Sequence, residues 1–80
     1  MIHTIIHGHS VSYDDSKHHD RIHHAAHYLE YGLSAEESEV FFKDAKSKEG
    51  SSESTHFEDD THTNCRLVRH DGEYLISIRE

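Results

Sequence analysis

The chain has 80 residues, of which 32% are hydrophobic and 30% charged, with no proline or tryptophan and one cysteine. Sixteen acidic against eight basic residues give a formal charge of −8, and eleven histidines stand beside them. These totals allow one domain with a small core and exclude an internal disulfide; with no apolar run near the ~20 residues of a membrane span, they exclude a transmembrane helix.

The negative field also disfavours direct nucleic-acid binding, since affinity there rests on neutralising phosphates with Lys and Arg. Such a field attracts basic protein surfaces instead and speeds encounter with them. Histidine changes charge between pH 5 and 8, so mild acidification carries this chain toward neutrality. The start lacks both the basic and the apolar region of a secretory leader, and the expected location is the cytoplasm. A core this small, without a disulfide, calls for support from a metal or from a second copy of the chain as a homodimer. The acidity is concentrated: residues 34–64 hold three basic and nine acidic groups, while residues 65–80 hold three of each.

In chain order, Ile2, Thr4 and Ile6 alternate, and Val11 and Tyr13 continue the pattern past His7-Gly8. A tight turn at Gly8 sets Ile6 opposite His9, Thr4 opposite Val11 and Ile2 opposite Tyr13. Asp14-Asp15-Ser16 can cap a helix running to about Tyr31, with Gly32 as its left-handed stop. Ile22, Ala25, Ala26, Leu29 and Leu33 fall on its buried face. Ser34-Ala-Glu-Glu37 reads as the capping box of a second helix, with Phe41, Phe42 and Ala45 on its inner side. Residues 47–63 show no apolar period and read as a flexible loop, in which Phe57 is an anchor or a short strand. Asp71-Gly72 signals a type I′ hairpin that pairs Leu67 with Ile76 and Cys65 with Ile78 on one face, and Val68 with Leu75 on the other. The expected fold is α+β, in the order β-β-α-α-β-β, one domain over residues 1–80: two hairpins form a small antiparallel sheet, and a helical hairpin packs on one face.

Three groupings bear on chemistry. On the first helix, His19, His23 and His27 recur every four residues with Glu30 beside them, a nitrogen and oxygen set suited to Zn or Ni. The expectation is otherwise that no cofactor is needed. On or beside the C-terminal hairpin, Arg66, Arg69 and Arg79 with His62 and His70 supply phosphate charge and proton carriers of the kind a metal-free ribonuclease uses. Cys65 has no Cys-X-X-Cys partner and falls on an inward strand face, so it reads as an inert buried thiol.

Tyr13-Asp14-Asp15-Ser16-Lys17, Tyr31-Gly32-Leu33-Ser34-Ala35-Glu36-Glu37-Ser38-Glu39-Val40-Phe41-Phe42-Lys43-Asp44 and Glu73-Tyr74-Leu75-Ile76-Ser77-Ile78-Arg79 resemble the BrnT toxins, a family similar to RelE-type ribonucleases. The resemblance implies a strand, two helices and then antiparallel strands, with metal-independent RNA cleavage as the activity. The family's prolines are absent here, and the chain is acidic where those toxins are basic.

Charge and composition together point first to a small acidic, non-enzymatic binding protein. It would occupy a basic, nucleic-acid-binding surface of a partner, such as a nuclease, as antitoxins, immunity proteins and inhibitors of CRISPR effectors do. Candidate contacts are Glu36, Glu37 and Glu39 at the start of the second helix, Glu53, Glu58, Asp59 and Asp60 in the loop, and Tyr28 and Tyr31 as aromatic anchors. The alternatives are the ribonuclease and a histidine-rich metal binder.

Overall fold

Two tight turns of the same kind organise the sheet. His7 and Gly8 have φ of 47° and 84°, and Asp71 and Gly72 have φ of 50° and 81°. Consecutive left-handed residues of this kind give the turn whose twist matches that of paired strands. A computed structural model describes residues 1–79. The elements run β1 (Ile2–Ile6), β2 (His9–Tyr13), α1 (His19–His27), a π-helical turn (Tyr28–Gly32), α2 (Ala35–Ser47), β3 (Thr55–Glu58), β4 (Asn64–His70) and β5 (Glu73–Ile78). The fold is α+β.

Both hairpin registers follow the alternation of the sequence. Ile6 faces His9, Thr4 faces Val11 and Ile2 faces Tyr13. Leu67 faces Ile76, Cys65 faces Ile78 and Val68 faces Leu75. The expected sheet of two hairpins is incomplete, however. A fifth strand, β3, lies within the segment expected to be a loop and pairs antiparallel with β4, setting Phe57 opposite Cys65. The order is β1-β2-β5-β4-β3, and β2 and β5 run parallel, so the sheet is mixed. Four residues alternating Thr-His-Phe-Glu with one large apolar side chain are too little signal for a strand. Pairing with β4 supplies what the pattern lacks.

Both helices cover one face. The core joins Ile6, Val11 and Tyr13 from the first hairpin, Ile22, Ala25, Ala26 and Leu29 from the α1 region, and Phe42 and Ala45 from α2. Phe57, Cys65, Leu67, Tyr74 and Ile76 complete it from the remaining strands. Full burial of a Leu or Phe side chain contributes about 1.5–3 kcal/mol, so this short roll carries most of the stability. Strand alternation sends His3, Ile5, Ser10, Ser12, His56, Arg66, Val68, Leu75 and Ser77 to the opposite, open face.

The α1 boundaries differ from expectation at both ends. Asp14 accepts a hydrogen bond from the Ser16 amide (3.0 Å), closing a local turn in place of a helix cap. The helix starts only at His19, and its N-cap His18 makes no side-chain capping bond. After His27 the backbone widens into the π turn, whose Leu29 carbonyl accepts a hydrogen bond from the buried Ser38 hydroxyl. Gly32 is not left-handed. A Cβ there would lie 2.7 Å from Tyr28 Cδ1, so the glycine answers to the packing of that ring.

Candidate functional site

The acidic side chains fall into two groups. The capping box at α2 is complete: Ser34 N–H donates to Glu37 Oε1 (2.9 Å) and Glu37 N–H donates to Ser34 Oγ (3.2 Å). The bond from the Ser34 amide holds the Glu37 carboxyl below its ordinary value. Glu39 lies 2.6 Å from His9 Nε2, and that hydrogen bond lowers the Glu39 carboxyl in turn. The His9 ring stacks on Phe42 with centroids 4.3 Å apart. At the β3–β4 turn, Glu58 bonds His62 Nδ1 (2.7 Å) and Asp60 bonds His24 Nε2 (2.6 Å). Both histidines are shifted upward by these carboxylate bonds.

These groups do not make one patch. Glu39 sits beside the β1–β2 turn, while Asp60 is in the β3–β4 turn. Because β2 runs parallel to β5 and β5 antiparallel to β4, the two turns lie at opposite ends of the sheet. Asp59 is withdrawn from the surface altogether. Its Oδ1 accepts from the Thr61 amide (2.9 Å), the Thr61 hydroxyl (2.7 Å) and the Thr63 amide (3.0 Å), so it builds the turn. Desolvation would raise its carboxyl, but these hydrogen bonds outweigh it and hold the group low. Glu36 and Glu53 are exposed and carry no ion pair among the described residues.

Of the two tyrosines, Tyr28 packs against the core beside Gly32. Tyr31 is 76% exposed. It shares a small cleft with Ile5, His27 and Glu30 at the β1 edge. On α2, Val40 is 65% exposed. It opens into an apolar cleft of about 530 Å³ with Phe41, Lys43, Asp44, Thr55 and His56.

The three arginines are split by the strand pleat. Arg69 points toward the helices, where Nη1 donates to Tyr74 Oη (3.0 Å) and Nε lies 3.4 Å from Glu49. Arg66 and Arg79 point to the open face. There Arg66 lines a cleft of about 590 Å³ with Lys48, Ser51, Ser52, Glu53, Ser54, His56 and Val68. His56, missed as a site residue because it lay in the apparent loop, has Nε2 3.1 Å from Ser54 Oγ. Lost hydration, then the charges of Arg79, Arg66 and Lys48, push its imidazole below the usual histidine value. His62 and His70 lie elsewhere, held by Glu58 and Asp71. Cys65 is fully buried and its thiol is pushed up to about 12, chiefly by burial, which disfavours the thiolate.

The histidine stripe of α1 is cut after its second member. His27 instead meets the Tyr31 ring with centroids 5.4 Å apart, and Glu30 accepts from the His7 amide (3.0 Å). The partner that His19 and His23 do find is Asp15. Its Oδ2 lies 3.1 Å from His19 Nδ1 and 3.4 Å from His23 Nε2. Desolvation raises the Asp15 carboxyl, yet the bonds from both imidazoles prevail and hold it below the ordinary range. The Asp15, His19, His23 spacing of four was visible in the chain, but Asp15 reads there as part of a helix cap. A second grouping, His24 with Asp59 and Asp60, also brings three donor atoms within 4.8 Å of one another. No helix among the described residues is long and apolar enough to cross a membrane.

Compared with protein-family models, with curated proteins and with solved structures, the chain matches none of them.

Proposed function

We propose that the protein is a small non-enzymatic binding protein that docks through the first half of α2 on a basic, nucleic-acid-binding surface of a partner protein. The observation that carries this reading is Val40, a β-branched side chain 65% exposed in mid-helix. One turn before it stand Glu36 and Glu37, at the i−4 and i−3 positions that share its face. An exposed apolar residue beside the unpaired carboxylate of Glu36, opening into an apolar cleft, suits a partner that contributes apolar contact and Lys or Arg together. The net charge of −8 adds long-range attraction to such a surface. Splitting of the acidic residues between the two ends of the sheet narrows the docking surface to Glu36, Glu37, Glu39 and Val40.

The test keeps Glu37, since it caps the helix. Immobilised protein is exposed to a lysate at low salt and eluted with a salt gradient. A basic nucleic-acid-binding protein is expected to be retained by the wild type and by Glu58→Lys, and lost by Glu36→Lys combined with Val40→Ser. Equal retention by that double variant overturns the reading.

One observation favours a second reading, metal-independent RNA cleavage on the open face: the cleft that places His56, of depressed basicity, beside Arg66 and Lys48. It predicts RNA cleavage in chelator that disappears with His56→Gln and with Arg66→Ala. Absence of cleavage by the wild type removes it.

A further inference from the structure

Helix α1 begins without a side-chain cap, and the segment leading into it folds back through Asp15 to two imidazoles one helical turn apart. We propose that Asp15, His19 and His23 form a binding site for one divalent transition-metal ion of the Zn²⁺ or Co²⁺ type. Their donor atoms Oδ2, Nδ1 and Nε2 all lie within 4.8 Å of one another. The two distances to Asp15 Oδ2, 3.1 and 3.4 Å, bracket the edge of a tetrahedron built on bonds of ~2.0–2.1 Å, which is roughly 3.3 Å. The two edges that meet at the carboxylate oxygen thus have the length they would have around one small cation, and the third, between the imidazole nitrogens, is within 4.8 Å. Two nitrogens and one oxygen are a borderline set, which selects Zn²⁺ or Co²⁺ over the hard cations Mg²⁺ and Ca²⁺.

The surroundings match that role. His23 reaches Asp15 with Nε2, and its other nitrogen, Nδ1, lies 3.1 Å from the hydroxyl of the buried Tyr13. In the tautomer where Nδ1–H donates to that oxygen, the Nε2 lone pair is free for a cation, as in metal sites whose histidines are oriented from behind. Tyr13 stacks edge-on against the same ring with centroids 5.3 Å apart, so orientation and tautomer share one support. The side chains are 25% (Asp15), 35% (His23) and 66% (His19) exposed, which leaves an entry path and a fourth position open to solvent. An ion there would bridge the β2–α1 connection to the helix at the point where a cap is missing.

The neighbouring set of His24, Asp59 and Asp60 offers one nitrogen and two carboxylates, a harder donor set in which the turn holds Asp59 Oδ1 while the buried Oδ2 has no hydrogen-bond partner. It is the competing site, and His24→Gln tells the two apart. The full chain is titrated with Co²⁺ alone and followed by visible absorption, with Zn²⁺ added afterwards as competitor and melting temperature recorded in parallel. The expected result is saturation at one ion per chain, intense tetrahedral bands that Zn²⁺ abolishes, and a rise in melting temperature. His19→Gln, on the most exposed ligand, and Asp15→Asn should each lower affinity at least tenfold while leaving the metal-free melting temperature near wild type. His24→Gln should bind like wild type. Unchanged affinity in His19→Gln, loss in His24→Gln alone, or unsaturating uptake of several ions by the eleven histidines would each overturn the site.

Discussion

Helix α2 carries its own boundary signals, whereas α1 is defined by what surrounds it. Ser34 and Glu37 close the α2 N-terminus reciprocally, acids fill its first turn and Lys46 its last. Those are local stabilisers that act within a few residues. Helix α1 has no side-chain capping bond at its N-terminus, holds five of its nine positions with His, Asp or Arg before its final His27, and gives way to a π turn. What holds it is the burial of Ile22, Ala25 and Ala26, with contacts from Asp15 and Asp60 at its sides. At 13 and 9 residues neither helix is long enough to stand alone, but the capped α2 should keep more residual helicity away from the core than α1.

Core truncations should have the largest effect and fall on both helices. Phe42→Ala on α2 should cost about 3–5 kcal/mol and Ile22→Ala on α1 about 2–5 kcal/mol in denaturant titrations. In a small domain of roughly 5–15 kcal/mol total stability, either loss approaches unfolding. The comparison sharpens in the residual helicity of the destabilised chains: α2 segments should retain more circular-dichroism signal than α1 segments when each is made as a peptide. Equal helicity of the two peptides would remove the distinction.

Next in size is Gly32→Ala. Its Cβ meets the Tyr28 ring at 2.7 Å, an overpacking that should cost about 1–3 kcal/mol. The penalty should shrink in a Tyr28→Leu background; an undiminished penalty would place its origin in the backbone. Smaller still, Ser34→Ala should remove about 1 kcal/mol through the lost cap, with hydrogen exchange accelerating in the first turn of α2 and not in α1.

The smallest expected effect is one of pH, and it separates the helices cleanly. His24, on α1, is raised in the fold by its bond to Asp60. A histidine raised on folding contributes stability that is full below its unfolded value and is lost as pH rises through its folded value. From pH 5.5 to pH 8, protection of α1 amides should therefore decline relative to that of α2. In NMR titrations the His24 and His62 midpoints should lie above that of an unfolded histidine. The His56 midpoint should lie below it, because there the charged form is disfavoured. A His24 midpoint at the unfolded value would remove the bond to Asp60 as a support of α1.

Both hairpins were legible because alternation and a turn dipeptide act over a dozen residues, and the α2 cap was legible because four residues contain both halves of its bonds. Strand β3 was not, since its partner Asn64–His70 defines it across the intervening turn. The docking residues divided for the same kind of reason: proximity in sequence placed Glu58 and Asp60 in one stretch with Glu53, but their location depends on which end of the sheet each turn occupies. The Asp15, His19, His23 grouping lay at regular spacing, yet only the late start of α1 frees Asp15 from a capping role.

Composition, charge, hairpin register, the α2 boundary and the inward course of Cys65 thus followed from the chain alone, because each depends on neighbours a few residues away. The parallel pairing of β2 with β5, the fifth strand, the end of α1 at His27 and the choice of Asp15 over His27 and Glu30 as partner for two histidines came only with the tertiary structure. Each requires groups far apart in sequence to compete for one place against the sheet, and that competition is settled by packing the whole core at once.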